Sequence, residues 1–169
     1  MEANPDKAVF LRLIAENKGI LIKICNVYCR DKSDREDLAQ EMIYQLWKSG
    51  HRFKADHKFS TWMYRVALNV AISFYRKEKR SAPVVSFTGM DLDIEDKTEV
   101  ASVMEENIQR LQHFIRQLKD LDRALILLYL EEKTYAEIAD IIGISETNTA
   151  TRISRIREKL KQYFSKINA

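Results

Sequence analysis

Glycine and proline are scarce, at four and two among 169 residues. Few obligatory breaks therefore interrupt long stretches of helix-compatible sequence. No apolar run reaches the roughly 18 residues that a membrane span needs. Nothing at the N-terminus reads as a secretory leader, because Pro5, Asp6 and Lys7 precede a run broken by Arg12, Glu16 and Lys18. Cysteine is limited to Cys25 and Cys29. They stand four apart on one helix face without a second ligand pair, which argues for buried thiols in a reducing cytoplasm rather than a disulfide or a metal site. The histidines His51, His57 and His113 are scattered, no Gly-rich phosphate loop is present, and no nucleophile stands beside a base. Those absences leave no basis for an enzyme, a cofactor or a small-molecule substrate.

Charge of one sign is also lacking in bulk. Twenty-eight basic residues face 25 acidic ones, a net of +3, so any nucleic-acid partner must be read from where the cations fall. What is present is a composition 46% apolar and 31% charged, which fits a globular, helix-rich chain.

The apolar spacing predicts an all-α fold. A first helical block spans about Asp6 to Cys29, with a break expected at Gly19 and a buried stripe of Leu21, Ile24 and Tyr28. Ser33 with Glu36 reads as a capping box opening a second helix to about Ser49, closed by Gly50. After a polar and aromatic loop, a third helix runs from about Ser60 or Thr61 to Arg80, with Met63, Val66, Ala67, Val70 and Phe74 inward. The stretch from Ser81 to Val100 changes character. It holds Pro83, Gly89 and the acids Asp91, Asp93, Glu95, Asp96 and Glu99, and reads as a flexible acidic linker whose Val84, Val85 and Phe87 have no second strand to join. The expected division is 6–80 for one small helical domain, 81–106 for the linker and 107–166 for a second.

In that second domain Thr134-Tyr-Ala-Glu137 reads as a capping box, Gly143 as a left-handed stop, and Ser145 as the cap of a longer helix. Thr149, Ile153, Ile156, Leu160 and Tyr163 share one face of it; Asn148, Ala150, Thr151, Arg152, Ser154 and Arg155 share the other. A short helix, a tight turn and a longer helix with a polar, basic face make a helix-turn-helix. Small side chains let its backbone approach base edges, and arginines reach phosphates or guanine acceptors. An ordinary helical hairpin with a solvated face is the plainer alternative.

Projected at about 100° per residue, the helix ending at Arg80 places Trp62, Arg65, Asn69, Ser73, Arg76 and Arg80 in roughly a quarter of its circumference. Phe53, Lys54, Lys58 and Phe59 line the loop before it. Cations track phosphates and aromatics stack on unpaired bases, so this stripe suits a strand that has left the duplex. A solvated basic face over an aromatic core fits the periodicity equally well.

At this point the residues resemble a family. Asp34-Arg-Glu-Asp-Leu-Ala-Gln-Glu41 with Leu46-Trp47, then Phe59-Ser-Thr-Trp-Met-Tyr-Arg-Val-Ala-Leu-Asn69 and the basic Tyr75-Arg-Lys-Glu-Lys-Arg80, resemble region 2 of bacterial sigma factors. Tyr135-Ala-Glu-Ile-Ala139 through Arg152-Ile-Ser-Arg-Ile-Arg157 resembles region 4. The chain as a whole resembles an extracytoplasmic-function (group IV) sigma factor.

The resemblance implies that Asp34, Asp37, Gln40, Glu41 and Trp47 dock on the clamp coiled coil of core RNA polymerase, with the flap as a further contact. It implies that Phe59, Trp62, Arg65, Asn69, Ser73, Arg76 and Arg80 hold the melted −10 non-template strand, and that the recognition helix reads the −35 element of promoter DNA. An anti-sigma partner, often membrane-held in such proteins, is implied too. Ser73 stands where the pattern often has Asp, and Ala150 where many relatives carry Lys or Arg, so neither promoter preference transfers directly. A stand-alone helix-turn-helix regulator with an N-terminal dimerisation domain is the competing reading.

Overall fold

The computed structural model describes residues 7–54, 56–81 and 103–168. Among these residues it contains eight α-helices, one short 3-10 turn and no strand. The fold is all-α, as the periodicity predicts. The linker acids Asp91 to Glu99, with Val84, Val85 and Phe87, lie outside the described residues.

The first block divides into α1 (Lys7–Glu16) and α2 (Lys18–Tyr28). The break falls at Asn17 and not at Gly19. The Asn17 amide donates to the Leu13 carbonyl at 2.8 Å, a local bond that competes with continuation of the helical ladder, while Gly19 lies inside α2. Helix α3 (Lys32–Ser49) is capped by Asp31, whose carboxylate accepts from the Asp34 N–H at 2.8 Å. The expected Ser33–Glu36 box does not form: backbone that is extended at Asp31 is helical from Lys32 onward, so Ser33 already lies within the first turn.

Gly50 opens a 3-10 turn over Gly50–Arg52 in right-handed backbone. It serves close approach rather than a left-handed stop, since a Cβ there would lie 3.0 Å from Cζ of Phe10. Helix α4 (Phe59–Ser81) then packs against α2 and α3. Ile24, Leu38, Met42, Leu46, Met63 and Ala67 are fully buried among these helices. Each large apolar side chain so buried stabilises the fold by about 1.5–3 kcal/mol.

The last four helices are α5 (Val103–Gln117), α6 (Asp120–Leu130), α7 (Tyr135–Ile142) and α8 (Glu146–Ile167). Helix α6 is apolar nearly all round, and Ala124 to Leu128 are all buried, as expected of a helix surrounded by others. Past its last residue, Leu130, and its cap, Glu131, the chain turns at Glu132, which adopts the left-handed region at φ 61°.

The two halves of the chain touch. Helix α4 packs on α6 and α7, and α2 on α5 and α6. At the centre of this contact is Arg123 of α6, which is 6% exposed. Its guanidinium donates to the carbonyls of Leu118 at 2.9 Å, Val27 at 3.2 Å, and Arg116. The same group lies 4.6 Å from the Tyr75 ring centroid and 5.9 Å from that of Tyr28. The Tyr28 hydroxyl in turn donates to the Asp120 carbonyl at 2.6 Å. Burial lowers the Arg123 pKa and raises that of Tyr28. Carbonyl dipoles and ring faces thus replace the water that a lone buried cation would otherwise need.

Candidate nucleic-acid interfaces

In the C-terminal half the turn is built as its sequence predicts. Thr134 Oγ1 accepts from the Glu137 N–H at 3.1 Å, and the Glu137 carboxylate accepts from the Thr134 N–H at 3.3 Å. Gly143 closes α7 at φ 83°, its N–H bonded to the Ala139 carbonyl at 2.8 Å. Two residues later Ser145 caps α8 by accepting from the Asn148 N–H at 3.0 Å. The short turn leaves no slack between α7 and α8, so the orientation of α8 is set by packing. Thr149, Ile153 and Ile156 are buried against the other helices, with Leu160 and Tyr163 half-buried behind them.

The opposite face of α8 is open. Asn148, Thr151, Ser154 and Arg155 are exposed and Ala150 is half-buried. The Thr151 hydroxyl donates to the Thr147 carbonyl at 3.0 Å. Arg152 is also half-buried, 3.9 Å from an Asp122 carboxylate oxygen. Such a face, with small residues at its middle and a free arginine, presents donors and acceptors at the N-terminal part of a helix, where major-groove contacts are made.

The α4 stripe is less uniform than the projection suggests. Phe59 is buried at 9% exposure. It forms the floor of an aromatic cluster, 5.9 Å from Phe10, 5.3 Å from Phe53 and 5.5 Å from Trp62 between ring centroids. Trp62 is half-buried on this cluster, with Phe10 at 5.9 Å and Phe53 at 5.5 Å. A tryptophan held in this way loses little further freedom on stacking against a base. Lys54 and Lys58 stand exposed in the preceding loop. Arg80 lies in the last turn of α4, outside the residues whose side chains are described.

Beyond Trp62 the stripe divides into two edges. Asn69 and Ser73 border an open groove of about 630 Å³, shared with Val70, Phe74 and Lys77 of α4 and with Asp37, Glu41 and Gln45 of α3. Arg65 and Arg76 point the other way. Arg65 donates to the Asp140 carboxylate at 2.9 Å and to its carbonyl at 3.1 Å, and Arg76 pairs with the Asp120 carboxylate.

On α3, Asp37, Gln40 and Glu41 are exposed and Asp34 is half-buried. Trp47 is 44% exposed beside Tyr44 at 55% and Ile43 at 41%. The acidic residues and this apolar patch share one helix. Ile43 and Tyr44 fall outside the buried stripe of Leu38, Met42 and Leu46, and that displacement is the signal by which periodicity could have found them. Cys25 and Cys29 are both buried, and burial raises the Cys25 thiol pKa to about 11. No group of three or more His, Cys, Asp or Glu side chains suited to a metal ion is assembled among the described residues, nor is any described helix long and apolar enough to cross a membrane.

Comparison with known proteins adds to this geometry. Residues 13–81 match sigma-70 region 2, and residues 108–160 match sigma-70 region 4. The chain is 30% identical over 167 residues to the extracytoplasmic-function RNA polymerase sigma factor SigW of Bacillus subtilis, covering 93% of this chain and 89% of that one. It is 29% identical over 166 residues to the sigma factor RpoE of Cereibacter sphaeroides, covering 95% and 88%. Its fold resembles that of CnrH in complex with the cytosolic domain of CnrY, with a TM-score of 0.68 at 19% identity over 97% of this chain and 92% of that one. It also resembles RpoE in complex with the anti-sigma factor NepR from Bartonella quintana, with a TM-score of 0.65 at 19% identity over 94% and 96%.

Proposed function

The chain belongs to the extracytoplasmic-function sigma factors of the sigma-70 family, and from that premise we propose how its surfaces divide the work of promoter recognition. As a sigma factor it confers promoter specificity on RNA polymerase and performs no chemistry itself. Residues 6–80 form the unit that binds core polymerase and the melted −10 strand, and 107–166 form the unit that reads the −35 element.

In this reading Asn148, Ala150, Thr151, Arg152, Ser154 and Arg155 enter the major groove. The largely open outer face of α8 is the observation that carries the proposal: it is capped at its start, fixed by packing on its inner side, and on its outer side leaves Asn148, Thr151, Ser154 and Arg155 exposed, with only Arg152 reaching Asp122 of α6. Trp62, braced on Phe10, Phe53 and Phe59, stacks on an unpaired base, with Asn69 and Ser73 beside it and Arg65, Arg76 and Arg80 following the phosphates. Phe59 acts through its support of Trp62. Asp34, Asp37, Gln40, Glu41 and Trp47, extended by Ile43 and Tyr44, dock on the clamp coiled coil, and the C-terminal unit meets the flap. Contacts to unstacked bases exist only in the open complex, so they favour strand separation rather than mere binding.

A partner of the anti-sigma class follows from the likeness to RpoE, which was captured with NepR. Run-off transcription with sigma-free core polymerase on a library of promoter sequences tests the assignment. Defined start sites that depend on this chain are expected, and the enriched sequences give both element preferences. Folded protein that yields no start site on any sequence, or that selects duplex sites equally well without polymerase, would overturn the reading.

A further inference from the structure

The three arginines of α8 are held in three ways. Arg155 is exposed. Arg157 lies with its guanidinium carbon 5.5 Å from the Tyr129 ring centroid. Arg152 is half-buried, and its Nε lies 3.9 Å from Asp122 Oδ1, the two side chains being 35% and 20% exposed. Asp122 and Tyr129 both belong to α6 and stand about two helical turns apart along one of its faces. Helix α6 therefore grips α8 at two arginines and leaves the third exposed.

We propose that Asp122 is a positioning residue for promoter reading: it holds Arg152 so that the guanidinium presents its two Nη groups to a guanine of the −35 element. The proposal rests on the major-groove reading of α8 given above, and names the base that one residue takes and the residue behind it. An arginine that meets its acid through Nε keeps Nη1 and Nη2 for a second ligand. Guanine offers two acceptors, O6 and N7, that suit a bidentate guanidinium.

Charge decides between guanine and phosphate. A carboxylate 3.9 Å from Arg152 offsets much of its attraction for a phosphate and itself repels that anion. The acceptors of a base are neutral, so the contact depends on donors held in the right plane rather than on net charge. Asp122 is well placed to hold them. It lies in the first turn of α6, where the helix N-terminus favours an acid, and α6 is anchored by the buried run Ala124 to Leu128. An arginine must give up rotamer freedom on meeting a base, and one already biased by a fixed carboxylate gives up less. A pair this exposed is weak alone, so Asp122 sharpens the preference and Arg152 supplies it.

The test uses the full chain with sigma-free core polymerase and a set of promoters in which each −35 base pair is changed singly. Competition transcription gives the preference at every pair. Arg152→Ala should lose about fivefold to a hundredfold of the preference for guanine at one pair, the range that a bidentate arginine spans. Asp122→Asn should lose about twofold to fivefold at the same pair, and should cost nothing further once Arg152 is replaced by Ala. Holoenzyme carrying Asp122→Asn should bind promoter-free duplex no more weakly than before, because a negative charge has been removed. Asp122→Glu, which keeps the charge, should keep the preference.

An Asp122→Asn loss that falls equally on all −35 sequences, or that persists in the Arg152→Ala background, would mean that the acid only supports α6 and would overturn the proposal. So would an Arg152→Ala variant that weakens every sequence alike with a shallower salt dependence, the mark of a phosphate contact. Arg155 separates this inference from the reading beneath it. If Arg155→Ala shifts the −35 preference while Arg152→Ala and Asp122→Asn shift none, only the role of Asp122 and Arg152 is removed. If folded, unaltered protein yields no start site on any promoter, the function on which the inference rests is removed as well.

Discussion

The outer face of α8 and the polar stripe of α4 are both positive helix faces, yet their surroundings are opposite. On α8 four of the six residues proposed to read duplex are exposed, Ala150 and Arg152 being half-buried, and the fixed part of the helix lies behind them. On α4 the stripe is occupied on one edge by carboxylates of α6 and α7, borders an acidic groove on the other, and rests on an aromatic cluster at its start. A surface for intact duplex can stand complete in advance, because its target is always present. A surface for bases that are normally paired is useful only after melting.

The sharpest way to break this comparison is at the joint. Arg123→Leu would leave the carbonyls of Leu118, Val27 and Arg116 without their charged donor. A loss of about 2–4 kcal/mol is expected, given the cost of stranding acceptors of a charged hydrogen bond. Chemical denaturation followed by far-ultraviolet circular dichroism should show it. An unchanged midpoint would mean that the two halves do not depend on this residue.

Next in size is Arg155→Ala on the open face, which should lose about 1–3 kcal/mol of discrimination at one −35 base pair. Its exposure predicts no accompanying loss of stability, so competition transcription and thermal melting should diverge for this variant. If melting falls too, the α8 face is less free than described.

Gly143→Ala tests the turn that aims α8. No atom lies within 4 Å of the added Cβ, but φ is +83°, so strain of about 1 kcal/mol is expected from backbone alone. A larger loss in thermal unfolding would point to a contact across the turn. The smallest effect belongs to Glu132, at φ 61° after α6. Glu132→Gly should stabilise the chain by about 0.5 kcal/mol, because relief of left-handed strain slightly exceeds the added freedom of the unfolded chain. A loss instead would mean that the glutamate side chain contributes to the end of α6.

What could be read from sequence follows the range of the interactions involved. The Thr134–Glu137 box, Gly143 and the Ser145 cap are contained within a few residues, and each forms where the sequence places it. Local signals failed where two of them competed. Asp31 caps α3 in place of Ser33, and Asn17 interrupts the first block in place of Gly19. The stripe on α4 was visible as a periodicity, but its division into two edges was not, since Asp120 and Asp140 carry no mark in sequence tying them to Arg76 and Arg65. Arg123 is the extreme case: an arginine in an apolar helix, held by carbonyls from α2 and from the segment before α6, whose place depends on the joining of both halves.

The contact between Phe10 and Gly50 limits how this chain could be re-engineered. Phe10 touches neither proposed partner, yet its ring lies against Gly50, Trp47, Phe59 and Trp62 at once. A chimera that borrowed only a foreign −10 loop would seat the incoming tryptophan on a floor shaped for another sequence. Exchanging promoter preference between such proteins therefore requires transplanting the first helix, the glycine after α3 and the loop as a single cassette.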